Sequence, residues 1–313
     1  MFDLKKIDIN RIADKANFSR NTTEKVLRLY SILKFIDQSE ISNMLVLKGG
    51  TAINLFLLDL PRLSVDIDLD FALPLNRDEM LKKREYIDMI IRDYMADEGY
   101  FLSDKSKFVH TLDSYVYSYS TLSGGKDIFK IEINYSDRVH VLKPTKTVST
   151  NKLERNVMVS RLADEELIGS KINALLVRTT LRDVYDIFTL FKNGNIKNEE
   201  LIKKIAIFYV CLGSQIPVDI NVLLIEAIKK IDNLNFQKVK ETLIPVLHKG
   251  IVFNVEEMTA YVSEKIKTFF KLNQTEKKFI DEYNQKNFKP EILFEGFETE
   301  DVRNHPMGIW KTK

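Results

Sequence analysis

A single cysteine in 313 residues, Cys211, cannot form an internal disulfide and excludes a zinc site built from thiolates. Glycine (11) and proline (7) are scarce. Their scarcity excludes collagen-like, linker-dominated and proline-rich disordered chains and favours helix. No apolar run is long enough to span a bilayer; INLFLLDLPRL at 53–63 is too short and is interrupted. The opening residues, MFDLKKIDINRIAD, carry no apolar stretch of the kind a secretory signal needs. Neither sign of charge dominates: 47 basic less 45 acidic residues leave +2. A chain that grips a polyanion with its whole surface is thereby excluded, and contact with nucleic acid would need a local patch. A cytoplasmic protein without membrane attachment is expected, of one large domain or two.

Familiar hydrolase and nucleotide signatures are also missing. There is no G-x-S-x-G elbow and no G-x-x-x-x-G-K-[ST] loop. The four histidines, His110, His140, His248 and His305, are scattered, and each is expected to be a surface or capping residue. Cys211 sits in FYVCL and is expected in the core.

What is present is organised. Residues 22–40 have helical spacing, with Val26, Leu29, Tyr30 and Leu33 on one stripe. The run Met44 to Leu47, closed by Lys48-Gly49-Gly50, predicts a buried strand and a tight turn. Thr51 can cap a short helix, Ala52 to Leu58, that Pro61 stops. Residues 78–96 predict another helix, Tyr115, Tyr117 and Tyr119 an alternating strand, and Ile128 to Tyr135 a second strand after the turn Ser123-Gly124-Gly125. From about residue 160 helical spacing continues almost to the end, beginning where Asp164 can cap. Further helices are predicted over 220–232, 235–248, 255–271 and 275–286, and Asn193-Gly194-Asn195 marks a break. The expected architecture is an α/β (α+β) half with a mixed sheet, residues 1–158, followed by an all-α half, residues 159–313.

The most informative stretch is Ser64-Val65-Asp66-Ile67-Asp68-Leu69-Asp70-Phe71. Its strict alternation puts Val65, Ile67, Leu69 and Phe71 on one face and three aspartates on the other. Aspartate is a poor strand former, and like charges on one face cost energy unless a cation neutralises them. Mg²⁺ suits this role because it takes carboxylate oxygens together with substrate phosphates. A solvated strand face is the competing explanation. The Gly49-Gly50 turn lies 16 residues before Asp66, counted from Gly50. Glycines let backbone N–H groups approach phosphate oxygens, a helix N-terminus adds a favourable dipole, and Lys48 and Arg62 bring positive charge nearby in sequence.

A turn, a helix and a strand bearing Asp-x-Asp resemble the nucleotidyltransferase superfamily. That likeness implies a third carboxylate on a later strand. Glu132, in Lys130-Ile131-Glu132-Ile133-Asn134, fits the position, with an exposed strand residue as the alternative. KGGTAINLFLLDLPRLSVDIDLDF is similar to the signature of the AbiEii/AbiGii toxin family of nucleotidyltransferases, toxins of type IV toxin–antitoxin systems. SKINALLVRTTLRDVYDIFTL resembles that family's helical motif, and the tail from NQTEKKFIDEY through KPEILF to HPMGIWK resembles its C-terminal end.

The resemblance implies roles. Gly49, Gly50 and Thr51 would cradle nucleotide phosphates, with Lys48 and Arg62 close by. Ser64 would sit beside the metal, and Asp66 and Asp68, with Glu132, would bind Mg²⁺, or Mn²⁺ in its place. Lys171 would reach the triphosphate and Asp186 would complete the site. Asp183, three residues before Asp186, would share its helix face. The implied reaction is nucleotide transfer from an NTP to RNA, foremost the 3′ end of tRNA, in a toxin restrained by a cognate antitoxin in phage defence. Transfer of a nucleotidyl or phosphoryl group to a protein hydroxyl, and a non-catalytic nucleotide- or antitoxin-binding module, are the alternatives. Lys143, Lys146, Lys152, Arg155 and Arg161, and the pairs Lys203-Lys204, Lys229-Lys230 and Lys277-Lys278, are candidate RNA contacts or solvated faces.

Overall fold

The computed structural model describes residues 5–313 apart from 154, 195, 235 and 253. Asn195, placed by its sequence in a break between helices, thus lies outside the described residues. The chain divides into two units. One comprises Met1–Arg138, Pro144–Arg161 and Val246–Gly250; the other comprises Val139–Lys143, Leu162–Pro245 and Ile251–Lys313.

In the first unit, helices α1 (Lys6–Lys15) and α2 (Arg20–Gln38) precede strand β1 (Leu45–Lys48), helix α3 (Gly49–Phe56), strand β2 (Asp66–Phe71) and helix α4 (Arg77–Asp97). Strands β3 (Phe101–Leu102), β4 (Lys107–Val109), β5 (Leu112–Ser120), β6 (Lys126–Asn134), β7 (Thr145–Ser149) and β8 (Val157–Arg161) follow. They form one mixed sheet in the order β3-β5-β6-β2-β1-β8-β7, with β4 also paired to β5. The β1–β2, β5–β6 and β7–β8 pairs are antiparallel, and β2–β6 and β1–β8 are parallel.

Alternation explains which face is core. Leu47, Ile67, Leu69, Ile131, Ile133 and Tyr115 are all buried on one side. The stripe of α2 named above is buried as its spacing predicts, each such side chain contributing about 1.5–3 kcal/mol. The Ser19 hydroxyl starts α2 by accepting the Thr22 N–H at 3.4 Å. A capping box between Asn76 and Glu79 starts α4. Arg84 donates to Asp113 at 3.0 Å and the Tyr115 hydroxyl donates to Asp88 at 2.8 Å, which ties α4 to β5.

The helix after the glycine turn differs from expectation. It begins at Gly49 and Thr51 lies inside it. Gly49 adopts φ +72°, so the chain bends from strand into helix without a capping side chain. The Thr51 hydroxyl instead donates to the Asp66 carbonyl.

The second unit is helical: α5 (Asp164–Arg178), α6 (Leu181–Asn193), α7 (Glu199–Gly213), α8 (Ile220–Asp232), α9 (Phe236–Thr242), α10 (Val255–Phe269), α11 (Gln274–Asn284), α12 (Pro290–Leu293) and α13 (Pro306–Lys311). Helix α7 is its centre. Ile202, Ile205, Phe208, Val210 and Cys211 are fully buried, so this helix is apolar nearly all round. Gly169 of α5 lets α7 approach closely: a Cβ there would lie 2.6 Å from Ile205 Cγ2. The single helix expected over 235–248 ends at Thr242, and a short 3₁₀ turn, Ile244–Val246, carries Pro245, which cannot continue a helix. Ala163, rather than Asp164, is the N-cap of α5. His305 is buried and caps α13 through the Met307 N–H at 3.2 Å. Among the described residues no helix is long and apolar enough to cross a membrane.

Candidate active site

The polar face of the sheet carries the site residues of the first unit. Lys48 of β1 pairs with Asp68 of β2, Asp68 with Glu132 of β6, and Glu132 with Ser114 of β5. These four residues therefore form one row across four adjacent strands. Two residues back along β2, Asp66 faces Lys130. Cross-strand neighbours on one face stand about 4.5–5.5 Å apart at Cβ, so the carboxylates of Asp66, Asp68 and Glu132 share one neighbourhood.

Each group has specific support. Glu132 accepts from the Ser114 hydroxyl at 3.0 Å and pairs with Lys130 at 3.1 Å. Lys48 pairs with Asp70, and more distantly with Asp137 at 3.9 Å. Burial alone would lower the Lys48 pKa; Asp70 and Asp137 outweigh it and push it up to about 12. Asp68 is driven the other way from an ordinary carboxylate. Burial, then the charges of Asp66 and Glu132, raise its pKa against the pull of Lys48 and Lys130.

A carboxylate cluster short of positive charge suits a divalent cation. Among the described residues no group of three or more His, Cys, Asp or Glu side chains is placed to hold a metal by itself.

The glycine turn lies directly against this row. A Cβ on Gly49 would run into the Asp68 carboxylate. A Cβ on Gly50 would lie 2.8 Å from Arg62 Nη2 and 3.1 Å from Ser64 Oγ. The two glycines thus hold a cradle bounded by Asp68 on one side and by Arg62 and Ser64 on the other. Arg62 is buried, with Nη1 donating to the Leu63 carbonyl at 3.1 Å. Asn54 Nδ2 donates to the Gly50 carbonyl at 2.9 Å and holds the turn from within α3.

In the second unit, Lys171 of α5 pairs with Asp183 at 2.8 Å and with Asp186 at 2.6 Å, both on α6. All three are buried. Asp183 also accepts from Arg178 Nε and Nη2, both at 2.8 Å, and from the Thr180 hydroxyl at 2.6 Å. Burial would raise the Asp183 pKa, but Lys171 and then Arg178 hold it well below the usual aspartate range. The three-residue spacing does place Asp183 and Asp186 together, as a rigid ionic cluster around one ammonium.

Several further residues support these groups. Asp70 orients Lys48, Asp137 adds to it from beyond β6, and Ser114 holds Glu132. Arg178 and Thr180 hold Asp183. Of these, Asp70 has a sequence signal in its place in the alternating strand, and Thr180 has one in its capping-box spacing to Asp183. Several of the basic residues are already engaged. Lys146 pairs with Asp37 at 2.6 Å, Lys152 with Asp59 at 3.3 Å, and Arg161 is buried over the Phe56 ring at 4.9 Å. Lys203 pairs with Glu276 at 2.8 Å, and Lys204 is buried.

A family model described as the nucleotidyl transferase AbiEii toxin of a type IV toxin–antitoxin system matches residues 31–277. The match begins within α2 and ends within α11, so the KPEILF and HPMGIWK segments lie outside it. Among solved structures, the chain is similar to MenT4, a nucleotidyltransferase toxin from Mycobacterium tuberculosis. The identity is 16% and the TM-score 0.60, with 87% of this chain and 92% of that one covered. JHP933 from Helicobacter pylori also matches, at 20% identity and a TM-score of 0.46, with 81% of this chain and 94% of that one covered. The likeness to MenT4 shows a shared fold. Sequence comparison finds no match among curated proteins.

Proposed function

The chain belongs to the AbiEii family of nucleotidyltransferase toxins of type IV toxin–antitoxin systems, and on that premise we propose that it transfers a nucleotidyl group from an NTP to an RNA acceptor, the 3′ end of tRNA. The observation that carries this reading is the packing of the Gly49-Gly50 turn against Asp68 on one side and Arg62 and Ser64 on the other. Such a turn, opening a helix, offers backbone N–H donors to phosphate oxygens beside carboxylates that suit a divalent ion.

Each residue has a task in this reading. The turn and Arg62 seat the triphosphate, with Ser64 donating from the same edge. Lys48, fixed by Asp70, adds a permanent positive charge. Asp66, Asp68 and Glu132 would hold Mg²⁺, or Mn²⁺. When bound, the ion would lower the pKa of the attacking hydroxyl and stabilise charge on the transferring group. The acceptor hydroxyl passes its proton to solvent and its oxygen attacks the α-phosphorus, a P–O bond forms, and the bond to the pyrophosphate leaving group breaks. Positioning and charge neutralisation supply most of the rate. In the helical half, 159–313, Lys171 has three N–H donors, and two of them meet Asp183 and Asp186. A cognate antitoxin, a cytoplasmic setting and a role in phage defence complete the reading.

The test uses each α-labelled NTP with Mg²⁺, total tRNA and cell extract, alongside an Asp66→Ala control. Label on tRNA that vanishes in the control supports the reading. Label on protein would replace RNA with a protein acceptor, and NTP binding without transfer would make the protein a binding module.

A further inference from the structure

The second unit holds a cleft of about 380 Å³ lined by Arg178, Thr179, Lys229, Lys230, Asn233 and Leu234. Three of these six residues are cationic and none is acidic. Arg178 ends α5, where Thr179 turns the chain through φ +50°. Lys229 and Lys230 stand in the last turn of α8. The Arg178 side chain is 60% exposed even while it binds Asp183, and both lysines are exposed. Neither lysine has a carboxylate partner among the described residues. The carboxylate behind the cleft, Asp183, is fully buried and already neutralised by Lys171 and Arg178. Cations at helix C-termini complement the dipole, which explains one in each helix. It does not explain why two exposed lysines without a carboxylate partner among the described residues converge with Arg178 on one cavity beside an amide.

We propose that this cleft seats the sugar–phosphate backbone of the RNA acceptor, with phosphate oxygens held by Lys229, Lys230 and Arg178. The assignment rests on the reading of the acceptor as RNA. Arg178 also gives the contact a structural link, because the same guanidinium that faces the cleft braces Asp183, which holds Lys171. The chemistry recognised is a phosphate oxyanion, and a free triphosphate is the other source that could supply it.

The experiment measures binding of fluorescent, transcribed tRNA to the full chain from about 50 to 200 mM salt, for the unmodified protein, Lys229→Ala/Lys230→Ala and Lys229→Glu/Lys230→Glu. Both lysines are exposed, and thermal unfolding verifies that the variants fold. The alanine pair should weaken tRNA binding about tenfold at the low-salt end and reduce the slope of log affinity against log salt by about two, since each phosphate contact contributes roughly 0.9. The glutamate pair should weaken it further. Inorganic triphosphate binding should be unchanged. The proposal is overturned if tRNA affinity and slope are unaltered in the variants, or if triphosphate binding falls while tRNA binding holds. If the unmodified protein binds and labels tRNA while the variants bind it equally, only the cleft assignment fails. If the unmodified protein binds no RNA, the RNA reading fails with it.

Discussion

Lys48 faces Asp68 in the β1–β2 ladder, yet its ammonium pairs with Asp70, two residues further along the same strand. The third aspartate of the alternating strand is therefore the anchor of the lysine. Asp70 is almost fully buried and forms an ion pair with Lys48. Asp70→Asn is expected to lower the unfolding free energy in denaturant by about 2–3 kcal/mol, the scale of losing a buried charge-assisted bond. It should also raise KM for the NTP, while Mg²⁺-dependent stabilisation of the fold is kept.

Asp68→Asn should separate stability from activity. Its carboxylate is disfavoured by burial and by Asp66 and Glu132. Removing that charge is expected to raise the thermal midpoint measured in chelator, while transfer falls by at least about 100-fold. Added Mg²⁺ should stabilise the unmodified protein and leave Asp66→Ala/Asp68→Ala unmoved, because a ligand stabilises only the state that binds it.

Gly49→Ala meets two obstacles. The backbone is at φ +72°, and the added Cβ would collide with the Asp68 carboxylate. The backbone cost alone is about 1–2 kcal/mol. Gly50→Ala presses instead on Arg62 Nη2 and Ser64 Oγ. Its effect should appear in KM for the NTP more than in unfolding free energy, and the two variants should be distinguishable on that basis.

The ionic cluster of α5 and α6 should set an acid limit to stability. The Asp183 pKa is depressed below its usual 3.8 by Lys171 and Arg178, despite burial. The folded state therefore binds fewer protons than the unfolded state as pH falls. The contribution is fully present above 3.8 and is lost progressively below it. Unfolding free energies measured from pH 6 downwards should show this loss, and Asp183→Asn should flatten it. Lys171→Ala should be costly at neutral pH, about 3–5 kcal/mol, because it leaves two buried carboxylates without their shared ammonium.

Much of the fold could be read from residue order. Strand β2 is recognisable because Val65, Ile67, Leu69 and Phe71 alternate strictly with polar residues, and α2 and α4 because their stripes run over several turns. Strands β3 and β4 escape because two or three residues cannot display a period, and α7 is obscured because it is apolar on nearly all sides. Within the site, Asp66, Asp68 and Glu132 could be nominated from their faces. Asp137 could not, since it reaches Lys48 only through tertiary structure. Thr51 is of a residue type that caps helices, but α3 already opens at Gly49 and the Thr51 hydroxyl is spent on the Asp66 carbonyl.

The parallel pairing of β2 with β6 has a consequence for how such a protein comes into being. Asp68 and Glu132 are partners in the sheet, yet α4 and β3 to β5 separate them along the chain. A chain interrupted before Lys126 would contain the glycine turn and all three aspartates of β2 but none of the strand that supplies Glu132 and Lys130. On the proposed roles, a translation product that stops there lacks one of the three carboxylates assigned to the metal. On that reading the order of synthesis itself delays activity: the carboxylates assigned to the metal are brought together only when β6 is made and pairs with β2.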